Sequence, residues 1–224
     1  MSKPEREKGL SAIVSSVVRV EAWERLGWLR AGFSTRQGGE SVAYGMGEQN
    51  LGWTVEDRAE VVAENRRRLV EAVSGKVADA LVTVRQVHGA EVRLVERGGG
   101  PLETAEGKAV LEGDGLITRE AGLMLGIQTA DCAPMLLADT RLRAVAALHA
   151  GWRGTLAGIA GVGVDAMRLE FGSRAEDLVA AIGPSIGVCC FAVGGEVRGQ
   201  FEGRYGDAGE LFAVRDGGAM HMDL

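Results

Sequence analysis

Three residues stand apart by type and by where they fall: His88, Cys132 and His149. Each lies where an apolar, strand-like run meets a turn, in "ALVTVRQVHG", "QTADCAPMLL" and "AALHAGWRG". Two imidazoles and a thiolate are donors that zinc selects, and three protein ligands leave the fourth tetrahedral position open, the arrangement of catalytic sites. Their separations in sequence are not those of a zinc finger, so spacing adds little. By type alone two other readings stand. The histidines could be hydrogen-bonded structural residues and the cysteine a small buried hydrophobe, or Cys132 could be a nucleophile with a histidine as its base.

The neighbours of these residues suggest a dense polar site. Gln128, Thr129 and Asp131 are packed with Cys132 between two apolar runs, and polar groups placed there must find partners. Asp131 shifts the thiol pKa in a direction that sequence does not set. Asp114 sits between glycines in "EGDGL" and reads either as a turn aspartate or as an acid–base group. Arg153, in "HAGWRG", and Arg36, in "STRQGG", are candidate anion contacts, able to hold phosphate or carboxylate bidentately. A structural bond to backbone carbonyls is an equal reading for each. Trp152 either stacks on a flat ligand or packs beneath its loop. The adjacent Cys189 and Cys190 read as structural, and His221 has no assigned role.

Several elements must position these groups. "AIVSSVVRVEAWERLGWLRAGFSTR" reads as strands, and "RQGGESVAYGMGEQNLGW" as a long polar loop of the kind that often carries function. Apolar spacing predicts a helix over 55–73, with Thr54 as N-cap, Asp57 three residues on and Gly75 ending it. "ALVTVRQVHG" and "EVRLVE" predict a hairpin with His88 at its turn. Residues 97–113 read as a variable loop. "GLITREAGLMLGIQT", "APMLLAD" and "RAVAALHA" are short bounded apolar runs, as buried strands are. "GTLAGIAGVGVDAMRLEF" has helical periodicity, "EDLVAAIG" reads as a strand and "GGEVRGQFEGRYG" as a last helix. The mixed order predicts an α+β fold with mixed sheets rather than a doubly wound one.

Composition bounds the function. The 224 residues can bury a real core. A net charge of −6 argues against a nucleic-acid surface, and no apolar run approaches the roughly 18–20 residues of a membrane span. The polar start "MSKPEREKGL" lacks a secretory apolar region, so a cytoplasmic protein is expected. Three cysteines, two of them adjacent, fit reduced thiols rather than a disulfide framework. The 34 glycines are about twice the ordinary share and point to many tight turns.

"GFSTRQGG", "QNLG", "NRRRL", "RQVHGAEV", "DGLIT", "QTADCAPMLLAD", "ALHAGWRGTLAGI" and "IGPSIGVCCFAVGGEV" occur in this order. Together, over roughly 31–197, they resemble the YfiH-type family, also called the laccase-domain or polyphenol oxidoreductase-like family. The resemblance implies a single α+β domain with mixed β-sheets flanked by helices, a fold like that of YfiH and CNF-type cysteine hydrolases. That domain would occupy 13–224 after a frayed 1–12. It implies His88, Cys132 and His149 as both metal ligands and catalytic residues, with zinc bound, or copper under an older laccase reading. The implied chemistry is phosphorolysis of adenosine, inosine, guanosine and methylthioadenosine to free base and ribose 1-phosphate, with adenosine deamination. Arg36, Asp114, Asp131 and Arg153 are then the candidate substrate contacts, and a nucleoside and phosphate the partners, with no nucleic acid or membrane. Two alternatives accompany it: a cysteine hydrolase or amidase acting on peptidoglycan precursors, and a copper polyphenol oxidase. Family members usually run past a segment like "HMDL" into a further helix and a cysteine-containing tail. The chain stops at Leu224, so either the natural protein is short or a C-terminal part is missing.

Overall fold

The computed structural model describes residues 16–75, 80–98, 100, 102–104 and 107–224. The expected frayed segment 1–12 lies outside them. The centre is a five-stranded mixed sheet, built from β5 (Val92–Leu94), β6 (Gly115–Thr118), β8 (Ala133–Asp139), β9 (Val145–Ala150) and β10 (Leu178–Ile182). Its order is β10-β8-β9-β6-β5. Neighbours run antiparallel except β5 and β6, which are parallel. The apolar runs expected to be buried strands supply β6, β8 and β9 of this sheet, with Leu116, Ile117, Ala138, Ala147 and Leu148 almost wholly enclosed, while the second half of the first run forms a strand of another sheet.

Smaller sheets surround this one. β1 (Val17–Arg19) pairs antiparallel with β2 (Gly32–Ser34), and β3 (Gln37–Ser41) opens the long polar loop. β4 (Ala80–Thr83) pairs parallel with β7 (Leu123–Gly126), and β11 (Phe212–Val214) antiparallel with β12 (Met220–Met222). Helices α1 (Ala59–Ser74), α2 (Trp152–Ala157), α3 (Ile159–Phe171) and α4 (Gly195–Arg204) flank the sheets. The molecule is a mixed α+β single domain, as expected.

The periodic stretch after β9 is two helices because Gly158 adopts a left-handed conformation, φ 84°, that closes α2 and opens α3. Ile159 and Met167 of α3 then bury against Ala146, Leu148 and Ala150 of β9 in one cluster. A side chain at Gly163 would meet Leu148 within 2.5 Å, so the helix can lie this close only because glycine is there. Full burial of side chains such as Leu148 and Met167 contributes about 1.5–3 kcal/mol each. This packing holds β9 rigidly.

Two expectations fail for identifiable reasons. Helix α1 begins at Ala59 with Arg58 as N-cap, not near Val55. Asp57 is taken by Ser41 and by Asn50 Nδ2 at 3.0 Å, so it anchors the polar loop instead of capping a helix. The helix does end at Gly75, φ 72°, as expected. No hairpin joins β4 and β5, because each strand pairs with a different sheet. The segment between them crosses to the edge of the central sheet, where it is caught by hydrogen bonds described below. No described helix is long and apolar enough to cross a membrane.

Candidate active site

Strand direction brings the three distant residues together. β8 and β6 both run antiparallel to β9, so the start of β8, the end of β9 and the start of β6 meet at one end of the sheet's inner strands. Cys132 is the residue before β8, His149 is the next-to-last residue of β9, and Asp114 is the residue before β6. The pairing of Ala133 with Ala150 sets Cys132 opposite Gly151. A side chain at Gly151 would meet Cys132 Sγ at 2.9 Å and His88 Cδ2 at 3.3 Å. The missing Cβ therefore leaves the space into which the thiol and an imidazole converge.

Asp114 assembles the rest. Its side chain is completely enclosed and accepts the backbone N–H groups of Val87, His88 and Gly89 at 3.3, 2.9 and 2.7 Å. These bonds gather the turn that presents His88, whose backbone takes the left-handed conformation, φ 60°. That conformation is uncommon for a residue with a Cβ and costs about 1–3 kcal/mol, which the three bonds to one carboxylate offset. Asp114 Oδ1 also lies 2.8 Å from His149 Nδ1, while the His149 backbone N–H donates to the Asp114 carbonyl at 2.7 Å. Burial works to raise the Asp114 carboxyl, but the His149 bond and the three amides outweigh it. They hold its pKa below the ordinary carboxylate value.

Donation from His149 Nδ1 to the Asp114 carboxylate leaves the Nε2 lone pair available. The ring stands edge-on to His88, with centroids 4.9 Å apart. Ligating atoms of His88, Cys132 and His149 all lie within 4.8 Å of one another, and among the described residues no other group of three or more His, Cys, Asp or Glu is so arranged. An ion bonded to each at about 2.0–2.3 Å fits that span with small side-chain rotations. Two imidazoles, a thiolate and a carboxylate behind one imidazole are the donor set and support that metal sites use. Exposure is graded across the set: His149 is buried, Cys132 half-buried and His88 exposed, so the site opens on one side.

Without a metal, burial pushes the Cys132 thiol up, and the negative charges of Asp131 and Asp114 add to the effect. The direction left open by sequence is therefore upward. Asp131 is exposed, and its carbonyl accepts the Ile186 N–H at 2.8 Å. Arg153 is exposed in the first turn of α2 and stacks on the Trp152 ring at 4.3 Å. Trp152 in turn packs against the cluster around Val197 and Phe201, so it serves as a floor under Arg153. Arg36 is highly exposed and pairs loosely with Glu48, 3.7 Å away. Of the four expected substrate contacts, Asp131 flanks the cluster in the chain and Arg153 follows His149 by four residues. Asp114 stands behind the cluster, enclosed, with its oxygens bonded to three backbone amides and to His149 Nδ1.

Sequence reasoning missed Gln86. Its amide accepts the Gln128 N–H at 2.8 Å and donates to the Gln128 carbonyl at 2.7 Å, as a backbone strand would. Gln128 Nε2 donates to the Leu51 carbonyl at 2.8 Å, tying the polar loop to the segment that leads into Cys132. The only signal for this was a pair of glutamines placed between apolar runs.

Residues 30–224 match the family described as multi-copper polyphenol oxidoreductase laccase. A protein named purine nucleoside phosphorylase from Bacteroides thetaiotaomicron is 39% identical over 170 residues, which are 75% of this chain and 63% of that protein. A protein named adenosine deaminase RL5, from an unknown prokaryotic organism, is 36% identical over 86% of this chain and 73% of its own length. The chain thus spans about two-thirds of the length of such relatives. Among solved structures, Bacillus licheniformis YfiH, a hypothetical protein, superposes with a TM-score of 0.81 at 29% identity, covering 94% of this chain and 78% of that one. The sequence motifs, the shared fold and the match over nearly the whole chain agree: the protein belongs to the laccase-like YfiH family.

Proposed function

We propose that the protein is a zinc-dependent purine nucleoside enzyme. It would cleave adenosine, inosine, guanosine and methylthioadenosine with phosphate, giving free base and the sugar 1-phosphate, and would deaminate adenosine. The observation that carries this reading is the convergence of His88, Cys132 and His149 at one end of the central sheet's strands, backed by the Asp114–His149 bond. The names of the relatives supply the substrate class.

His88 Nδ1 or Nε2, Cys132 Sγ and His149 Nε2 would hold the ion. Bound there, zinc supplies a Lewis-acid centre at neutral pH. Asp114 fixes the His149 tautomer and, through three amides, the position of His88. Arg153, held over Trp152, is the proposed phosphate contact, since a planar guanidinium binds two phosphate oxygens at once. Arg36 is a second, outer anion contact, and Asp131 the group that moves a proton at the open side. The free thiols Cys132, Cys189 and Cys190 suit a reducing, cytoplasmic setting.

The competing chemistries fit less well. A nucleophilic cysteine needs a lowered thiol pKa, whereas burial and two carboxylates push Cys132 up. Multicopper oxidation requires several copper centres, and the chain holds three histidines in all. Incubating the protein with adenosine, with and without phosphate, separates the outcomes. Adenine that forms only with phosphate supports phosphorolysis, and inosine supports deamination. Failure to convert any of the four nucleosides after zinc loading would sink the proposal.

A further inference from the structure

The turn formed by Val188, Cys189 and Cys190 carries two exposed thiols that the nucleoside chemistry does not use. Their sulfurs are 2.9 Å apart, one S–H directed at the other. Both side chains thus leave the turn on the same side and meet in solvent. The backbone beneath them is fastened at several points. The Cys190 and Phe191 N–H groups both donate to the Gly187 carbonyl at 3.0 Å, and Arg215 Nε donates to the Val188 carbonyl at 3.2 Å. Upstream, the Gly183 and Ile186 amides bind the carbonyls of Pro134 and Asp131. Downstream, the Met222 amide binds the Phe191 carbonyl. The pair is a preorganised dithiol on a braced turn rather than two mobile cysteines.

Geometry selects what such a pair can hold. Consecutive Cα atoms lie about 3.8 Å apart, inside the roughly 4.4 Å lower limit of ordinary disulfides, so direct oxidation to a bond between them is disfavoured. A tetrahedral zinc needs more donors than two thiolates, and among the described residues no His, Asp or Glu joins the pair in a metal-binding group. What two converged soft donors satisfy is a thiophilic centre that carries its own third substituent. Because both sulfurs are already together, binding the second costs little ordering entropy, which is the source of chelate strength.

We propose that Cys189 and Cys190 form a chelating site for trivalent organoarsenic compounds, separate from the His88–Cys132–His149 centre and independent of the nucleoside reading. With an arsenoxide the step balances without redox change. Two S–H bonds break and two S–As bonds form, and the oxide leaves with both protons as one water. The arsenic stays trivalent and keeps its organic group.

The test uses the zinc-loaded protein and phenylarsine oxide, read by intact mass and peptide mapping. The expected result is one phenylarsenic group per chain, located on the peptide holding Cys189 and Cys190. It should survive excess monothiol and be released by a dithiol. Cys189→Ser and Cys190→Ser should each bind about a hundredfold more weakly, with unfolding temperatures unchanged, while Cys132→Ser should retain the adduct. The proposal is overturned if the wild-type protein takes up no arsenic, if monothiol strips it, or if the adduct maps to Cys132. Undiminished binding by either single serine variant would overturn it equally.

Discussion

The two sides of the His88–Cys132–His149 cluster are built differently. On the inner side Asp114 and His149 are enclosed, with 0% and 2% of their surface exposed, and the Asp114 oxygens and His149 Nδ1 are hydrogen-bonded. On the outer side His88, Asp131 and Arg153 face solvent, and Arg153 is steadied mainly by an aromatic ring. On the inner side His149 lies on β9 and Asp114 immediately precedes β6, whereas the outer side lies on a turn, a loop and the start of a short helix. Function on the inner side is therefore tied to stability, whereas the outer side can be altered with little effect on the fold.

The largest effect that tests this contrast is at Asp114. Asp114→Ala would leave three part-buried backbone N–H groups and the buried His149 Nδ1 without their acceptor. An unsatisfied buried group costs about 1–3 kcal/mol, so a total loss of at least about 3 kcal/mol is expected. For a chain of this size that lowers the melting temperature by about 6–12 °C, and metal affinity should fall about 10–100-fold. A melting temperature within a degree of wild type would break the contrast.

Gly151→Ala should act more on the metal than on the fold. Its new methyl would press on Cys132 Sγ and His88. We expect a stability cost of about 1–3 kcal/mol and metal binding weakened about tenfold, measured by competition with a chelator. Unchanged affinity would show that the thiol and imidazole do not need that space.

On the outer side, Arg153→Ala should change stability by no more than about 0.5 kcal/mol while raising the KM for phosphate about tenfold, and Arg153→Lys should restore only part of it. A phosphate KM left at the wild-type value would remove Arg153 from the proposed role.

The smallest effect near neutral pH is the titration of Asp114. Its folded pKa is lowered, so the folded state holds this proton less tightly than the unfolded chain. The resulting stability is present above the ordinary carboxylate value of about 3.9 and is lost as pH falls through the lowered folded value. Between pH 6 and 8 this contribution is fully present, so the wild-type melting temperature should show no pH dependence from this group. Acid unfolding of Asp114→Asn should be less steep than that of wild type.

The same contrast explains what could be read from sequence. The central strands were legible because buried strands are short apolar runs, and His88, Cys132 and His149 were legible because their types are metal donors. Gly75 and the helix α4 were also placed correctly. The role of Asp114 was not legible. It depends on amides 25–27 positions away in the chain, and no local pattern marks that convergence. The failed hairpin has the same origin: "ALVTV" and "EVRLV" look like neighbours, but parallel pairing with β7 and β6 separates them. The start of α1 was misplaced because Asp57 has a stronger use bracing the polar loop than capping a helix. Propensity and spacing describe each segment, while these outcomes were set by partners distant in sequence.

The central claim is that the His88–Cys132–His149 cluster is a metal centre on which turnover depends. Its most direct test is the zinc content of purified wild type and of Cys132→Ala, paired with adenosine turnover in phosphate. We predict close to one zinc per wild-type chain, no retained zinc and no turnover in Cys132→Ala, and an unchanged fold by circular dichroism. A Cys132→Ala protein that kept its zinc and its full activity would contradict the account.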